Sequence, residues 1–221
     1  MKLFYIIFCS LYVLLLLFYF KNETSDNFTK RAVNKTALSS MFVTNFLICF
    51  FANGTILSFM SIMALCAFVF CFFADIILLF DFIKGAVVFA VGNLCFTVYS
   101  FLLLAKNNIA FTQVWWCAII FVVIVVSYLM AIKIFKMDYK KFGAKLPVYL
   151  VTVTLHGSLG IAIAVSSTEL SEKIFGIGLI MFMISDYLLV TYKIYRKSKL
   201  MLRMNSGLYF IGIMLASLSF C

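Results

Sequence analysis

The chain has 221 residues, 66% of them hydrophobic and only 12% charged, with a mean hydropathy of +1.15. Soluble domains carry about twice that share of charge, so a water-facing globule is excluded and an all-α, polytopic membrane helix bundle is expected. The net charge of +10 lies in short basic runs between apolar stretches, where it meets lipid headgroups and leaves no basic fold to bind nucleic acid.

A helix needs about 20 mainly apolar residues to cross the hydrocarbon core. Eight stretches are candidates, the second and last of them short: residues 3–20, 37–52, 57–80, 83–105, 115–135, 146–165, 174–192 and 207–221. They form a single transmembrane domain, with no loop long enough to fold separately. The first stretch is too long and bulky for a cleaved signal peptide and no small-residue cleavage site follows it, so it is read as a span. Basic loops are retained on the cytoplasmic face. Of the 18 Lys and Arg, only Lys2, Lys106 and Lys173 fall on one side of an eight-span chain, which predicts that both termini are non-cytoplasmic. The membrane would be the endoplasmic reticulum in a eukaryote and the inner or plasma membrane in a bacterium. Trp115 and Trp116, at the non-cytoplasmic start of the fifth span, suit an interfacial anchor. Of the Asn-x-Ser/Thr sequons at Asn22, Asn27, Asn34 and Asn53, the first three fall in a loop that the charges make cytoplasmic, and Asn53 hugs the membrane, so none is expected to be glycosylated.

All seven cysteines lie within or at the end of apolar stretches, with no Cys-x-x-Cys. That pattern points to buried packing residues and argues against a disulfide framework or zinc site. Glu23, Asp26, Asp138, Glu169 and Glu172 fall in loops and Asp81 at a span boundary, but Asp75 and Asp186 remain inside. An aspartate within a span costs roughly 2.5–3.5 kcal/mol on insertion scales and is by default functional. The third and seventh spans run the same way, and both carboxyls are expected roughly 9–11 Å below the cytoplasmic boundary, able to share a cavity. Ala74-Asp75-Ile76-Ile77 and Ser185-Asp186-Tyr187-Leu188 also correspond locally, four spans apart, as a parallel duplication would leave them.

Gly85, Phe89 and Asn93 in the fourth span, and Gly178, Phe182 and Asp186 in the seventh, each make a stripe at i, i+4, i+8. Glycine there permits close helix approach. Lys35, near the start of the second span, is placed to reach a carboxylate, a substrate phosphate or the headgroups. His156, the lone histidine, is read as a hydrogen-bonded helix contact. No phosphate loop, nucleophile elbow or metal-ligand cluster is present.

From about Lys35 to the last span the chain resembles the YhhN-like lysoplasmalogenases, multi-pass membrane enzymes that hydrolyse the vinyl ether bond of lysoplasmalogens. Three motifs carry the resemblance: Ala74-Asp75 with Leu78-Leu79; Phe82, Gly85 and Phe89; and Gly178, Phe182, Ser185 and Asp186. It implies catalytic roles for Asp75 and Asp186 and substrate-binding roles for Lys35, Asn93, Ser185 and Tyr209. A lysophospholipid is the implied partner, and neither cofactor nor metal is implied. Asn93 and Phe96 stand where the family usually has histidine and tyrosine, Ala74 replaces a glycine and Ile213 a glutamine. A catalytically weakened, non-enzymatic member is therefore one alternative reading. The other is a proton-coupled small-solute carrier, against which the single proline, at the start of a span, and the off-centre acids both weigh.

Overall fold

In hydrocarbon every backbone N–H and C=O must be satisfied within its own segment, which leaves the α-helix as the element an apolar chain of this kind can form. The computed structural model describes residues 2–23, 27–52, 58–195 and 197–221, and it has no strand among them. Its α-helices are α1 (Lys2–Asn22), α2 (Phe28–Ala52), α3 (Phe59–Leu78), α4 (Phe82–Lys106), the single turn α5 (Phe111–Val114), α6 (Trp116–Ile134), α7 (Lys145–Ser166), α8 (Leu170–Ile194) and α9 (Lys199–Leu218). Seven of them are long and apolar enough to cross a membrane, and α1 carries the apolar stretch Ile6–Asn22. The chain is a multi-pass membrane protein. The predicted boundary at Leu57, the sequon at Asn53 and the basic residue Arg196 lie outside the described residues.

Two helices start well before their apolar cores. α2 begins at Phe28 rather than residue 37, with the Asn27 side chain accepting from the Lys30 backbone N–H at 3.1 Å. Lys30, Arg31 and Lys35 therefore ride on a helix. α9 likewise begins at Lys199 rather than residue 207. Hydropathy marks the part of a helix that lipid covers, whereas backbone bonding continues past it and long basic side chains reach back to water. Between α3 and α4 the chain reverses in three residues, because the Asp81 carboxylate accepts from the backbone N–H of Ile83 at 2.9 Å and of Lys84 at 3.1 Å. Those bonds, the one to Lys84 first, hold the Asp81 carboxyl below its usual range.

The helices α2, α3, α4, α7, α8 and α9 close on themselves, α4 packing on α7 and α9 on α2, while α1 lies against α2 and α9 and α6 against α7. The neighbour pattern repeats after four spans: α1–α2, α2–α3, α3–α4 and α4–α7 correspond to α6–α7, α7–α8, α8–α9 and α9–α2. Lipid tails are as apolar as leucine, so close packing has to hold such helices together. Glycine pairs supply it at two crossings. A Cβ on Gly178 would lie 2.5 Å from the Gly212 carbonyl oxygen, and one on Gly176 would lie 2.5 Å from that of Gly160. Away from the basic end, defined by Lys35, Lys84 and Lys193, the interior is a column of aromatic rings. Phe89, Phe182 and Tyr209 meet with centroids 5.1–5.8 Å apart, Phe96 follows at 6.3 Å from Phe182, and Phe68 and Phe46 continue the column.

One cysteine expectation is overturned. Cys49, near the end of α2, and Cys221, past the end of α9, form a disulfide that joins positions 172 apart in sequence. The α2–α9 contact brings them together, seconded by Asn45 donating to Ser217 Oγ at 3.1 Å and by Phe46 against Phe220.

Candidate active site

Intramembrane polar groups have to find one another or a wet cavity, and at the basic end they line a cavity of about 260 Å³ between α1, α2, α3, α4, α8 and α9. Asp75 comes from the last turn of α3, three residues before its end, and Asp186 from α8, eight residues before its end. At 1.5 Å per residue those offsets are about 4.5 and about 12 Å, so the two reach one cavity because α8 projects further than α3. Asp75 is 1% exposed and Asp186 2%.

Their surroundings differ. Asp75 Oδ1 pairs with Lys35 Nζ at 3.0 Å, and its Oδ2 accepts from Ser39 Oγ and Tyr209 OH, both at 2.7 Å. An ammonium and two hydroxyls aimed at one carboxyl suit an acceptor-only carboxylate. Lys35 and Ser39 stand one helical turn apart on α2, so one face of that helix supplies both. Among the described residues Asp186 has no cation in contact and its Oδ2 has no partner, while the Tyr149 hydroxyl of α7 is hydrogen-bonded to it.

Of the remaining sequence-predicted residues, Tyr209 lines the cavity, whereas Ser185 and Asn93 do not. The Ser185 hydroxyl turns back to the Phe182 carbonyl at 2.8 Å, and its own carbonyl accepts from Asn205 at 2.8 Å. Both polar atoms of the Asn93 side chain are buried without a partner. His156 stands apart against Phe182, with Nδ1 3.3 Å from the Thr152 carbonyl.

Glu23, expected in a loop, also lines the cavity. It directly follows α1, is 5% exposed, and accepts from Ser206 of α9 and, at 3.4 Å, from Tyr19. Burial pushes its carboxyl up from the ordinary range, against the lowering effect of the Ser206 and Tyr19 bonds and of Lys35 and Arg203. Among the described residues its Oε2 has no partner. Arg31 and Lys193 complete the charged rim. Ser39 could have been found from its spacing to Lys35; Tyr149 and Glu23 gave no sequence signal, because helix packing alone brings them in. Among the described residues no group of three or more His, Cys, Asp or Glu could hold a metal ion. The arrangement can hold a fixed anion beside a second carboxyl with a free oxygen, and bind an anionic headgroup at its basic rim.

The profile of the YhhN family matches residues 31–220, from the first turn of α2 through α9, with both aspartates inside the match. No curated protein and no solved structure gives a match. With the profile covering residues 31–220 of 221, the chain belongs to the YhhN family.

Proposed function

We propose that the protein is a lysoplasmalogenase, hydrolysing the vinyl ether bond of a lysoplasmalogen to a fatty aldehyde and a glycerophospho-headgroup. The observation that carries the reading is the unlike partnership of two aspartates in one cavity: Asp75 held by Lys35, Ser39 and Tyr209, Asp186 with a bare Oδ2.

A vinyl ether is cleaved by protonating the alkene carbon distal to oxygen, which gives an oxocarbenium ion. Water adds to that cation and loses a proton, and the resulting hemiacetal collapses to aldehyde and alcohol. Asp186 donates the first proton from Oδ2 and, as carboxylate, takes back the proton that the water releases. Asp75 remains anionic throughout and stabilises the cation in a site from which packed helices exclude bulk water. The proton count closes without a cofactor. In this reading Arg31, Lys35 and Lys193, which line the cavity, bind the substrate phosphate, and the basic end faces the cytoplasm. Placement of the Cys49–Cys221 disulfide at the opposite end supports that orientation, since disulfides persist in oxidising compartments.

The test is fatty-aldehyde release by purified protein from a lysoplasmalogen, beside an alkyl-ether lysolipid without the double bond. The vinyl ether should turn over and the saturated ether should not. Equal turnover of both, or proton-dependent solute uptake into liposomes with no aldehyde at all, would reject the reading.

A further inference from the structure

Where the hydrocarbon chain of such a substrate would lie is the next question. Straight inward, the cavity is closed by Phe89, Phe182 and Tyr209, all at most 5% exposed. A long chain therefore has to leave sideways. The pseudo-repeat offers two corresponding seams, α2–α9 and α4–α7. The first is covered at the basic end by α1, whose Tyr19 packs on Phe210 with centroids 5.4 Å apart, and by Glu23 just after it, which accepts from Ser206. Among the described residues the second is uncovered at the basic end, because there α6 leans towards α8: Tyr128 packs edge-on against Tyr187 with centroids 4.6 Å apart and meets the Thr191 hydroxyl at 2.9 Å.

At that uncovered seam lies an apolar groove of about 250 Å³. Ala86 and Ala90 of α4 keep it open, and Val87 and Val148, 49% and 60% exposed, form its outer edges. Two residues join it to the cavity. Phe82 lines both, with Lys193 Nζ 5.1 Å from its ring centroid and Phe142 packed edge-on at 5.4 Å. Tyr149 lines the groove and is hydrogen-bonded to Asp186.

We infer that the α4–α7 groove is the binding site for the single hydrocarbon chain of a lysolipid, which passes Phe82 from the polar cavity and lies against Ala86 and Ala90. The inference rests on the lysolipid reading above and adds a second subsite to it. A chain threaded there sets the bond next to the glycerol at Asp186, with the phosphate still at the basic rim. Phe82 is the gate, since its ring is the shared wall.

Photo-crosslinking tests occupancy without turnover. A saturated alkyl-ether lysophosphoethanolamine carrying a diazirine in mid-chain would be added to the full-length protein in nanodiscs and the adducts mapped by mass spectrometry. Saturable labelling of α4 around Ala86–Ala90 and of α7 around Leu146–Tyr149 is expected, lost on competition with unlabelled lipid and lost in Ala86→Trp. Val122→Trp, on the lipid-facing side of α6, should change nothing. Saturable labelling at another seam, or label that competitor never displaces, would overturn the inference. In the aldehyde assay, Ala86→Trp should lower kcat/KM for a long-chain substrate about 10²-fold through misplacement, and spare a short analogue whose chain ends before Phe82. Unchanged long-chain turnover in Ala86→Trp would reject the groove while leaving the hydrolase standing. Saturable groove labelling without aldehyde release would reject the hydrolase alone.

Discussion

Lys35 and Asp75 form the most consequential pair in the molecule, because neither charge is at home in the membrane without the other. Breaking a buried pair from one side costs about 3–5 kcal/mol, so Lys35→Met should lower the thermal midpoint sharply in a detergent melt and Lys35→Met with Asp75→Asn should recover part of the loss. Asp186→Asn removes no ion pair, and its fold should survive. If Asp186 supplies the proton, its aldehyde release should still fall by about 10²–10⁴. Glu23 makes a pH prediction. Burial raises its folded-state pKa above the ordinary 4.5, so the folded chain holds that proton more tightly than the unfolded one. Its stabilising contribution is complete below about pH 4.5 and is lost as pH rises through the folded-state value. The thermal midpoint of the wild type should fall over that interval, and Glu23→Gln, which keeps the Ser206 bond, should flatten the fall. Asn93, whose buried amide bonds to nothing, should tolerate leucine with no loss of stability.

Helices were the legible part of the sequence, and their ends and partners the illegible part. Apolar stretches marked all eight long helices, because hydrocarbon thickness sets a minimum length that composition reveals. The early starts of α2 and α9 escaped because hydropathy says nothing about backbone bonding beyond the lipid. Asp75 and Asp186 were legible as intramembrane acids, Lys35 by its place at the start of a span and through the family resemblance, and Tyr209 through that resemblance alone. Glu23 and Tyr149 were not, since each enters through a helix that no local pattern ties to the site. Cys49 and Cys221 escaped similarly: packing of α2 on α9 pairs two residues that each read as core. Closing so long a loop is worth about 5 kcal/mol in the chain-entropy view, so reduction, or Cys49→Ser, should lower the thermal midpoint measurably. At the α8–α9 crossing, Gly178→Leu would push its side chain into the Gly212 carbonyl. The helices should part, and the Tyr209 hydroxyl should leave Asp75, with activity falling together with stability.

Across the whole molecule, the four-span offset gives Asp75 and Asp186 equivalent positions with unequal company: α2 brings a lysine and a serine to the first, and α7 brings a tyrosine to the second. On the proposed mechanism one repeat holds the charge and the other the proton, a division that identical halves could not make. The same comparison explains the open seam, since α1 and α6 occupy corresponding places but lean different ways. Orientation is open to a direct check. Single cysteines at positions 140 and 106, in a background without native cysteines, should label from opposite sides with 140 cytoplasmic, and labelling of both from one side would reject the eight-span topology.

The aromatic column has an electrical consequence. An acid-lined cavity sunk into one face of a membrane is half of a proton wire, and the edge-on rings of Phe89, Phe182, Phe96 and Phe68 are the insulation that keeps it from becoming a whole one. Liposomes carrying the wild type should hold a pH gradient as long as empty ones do. Replacing Phe96 and Phe182 together by alanine should let it run down faster, and if it does not, some other layer of the bundle is the seal.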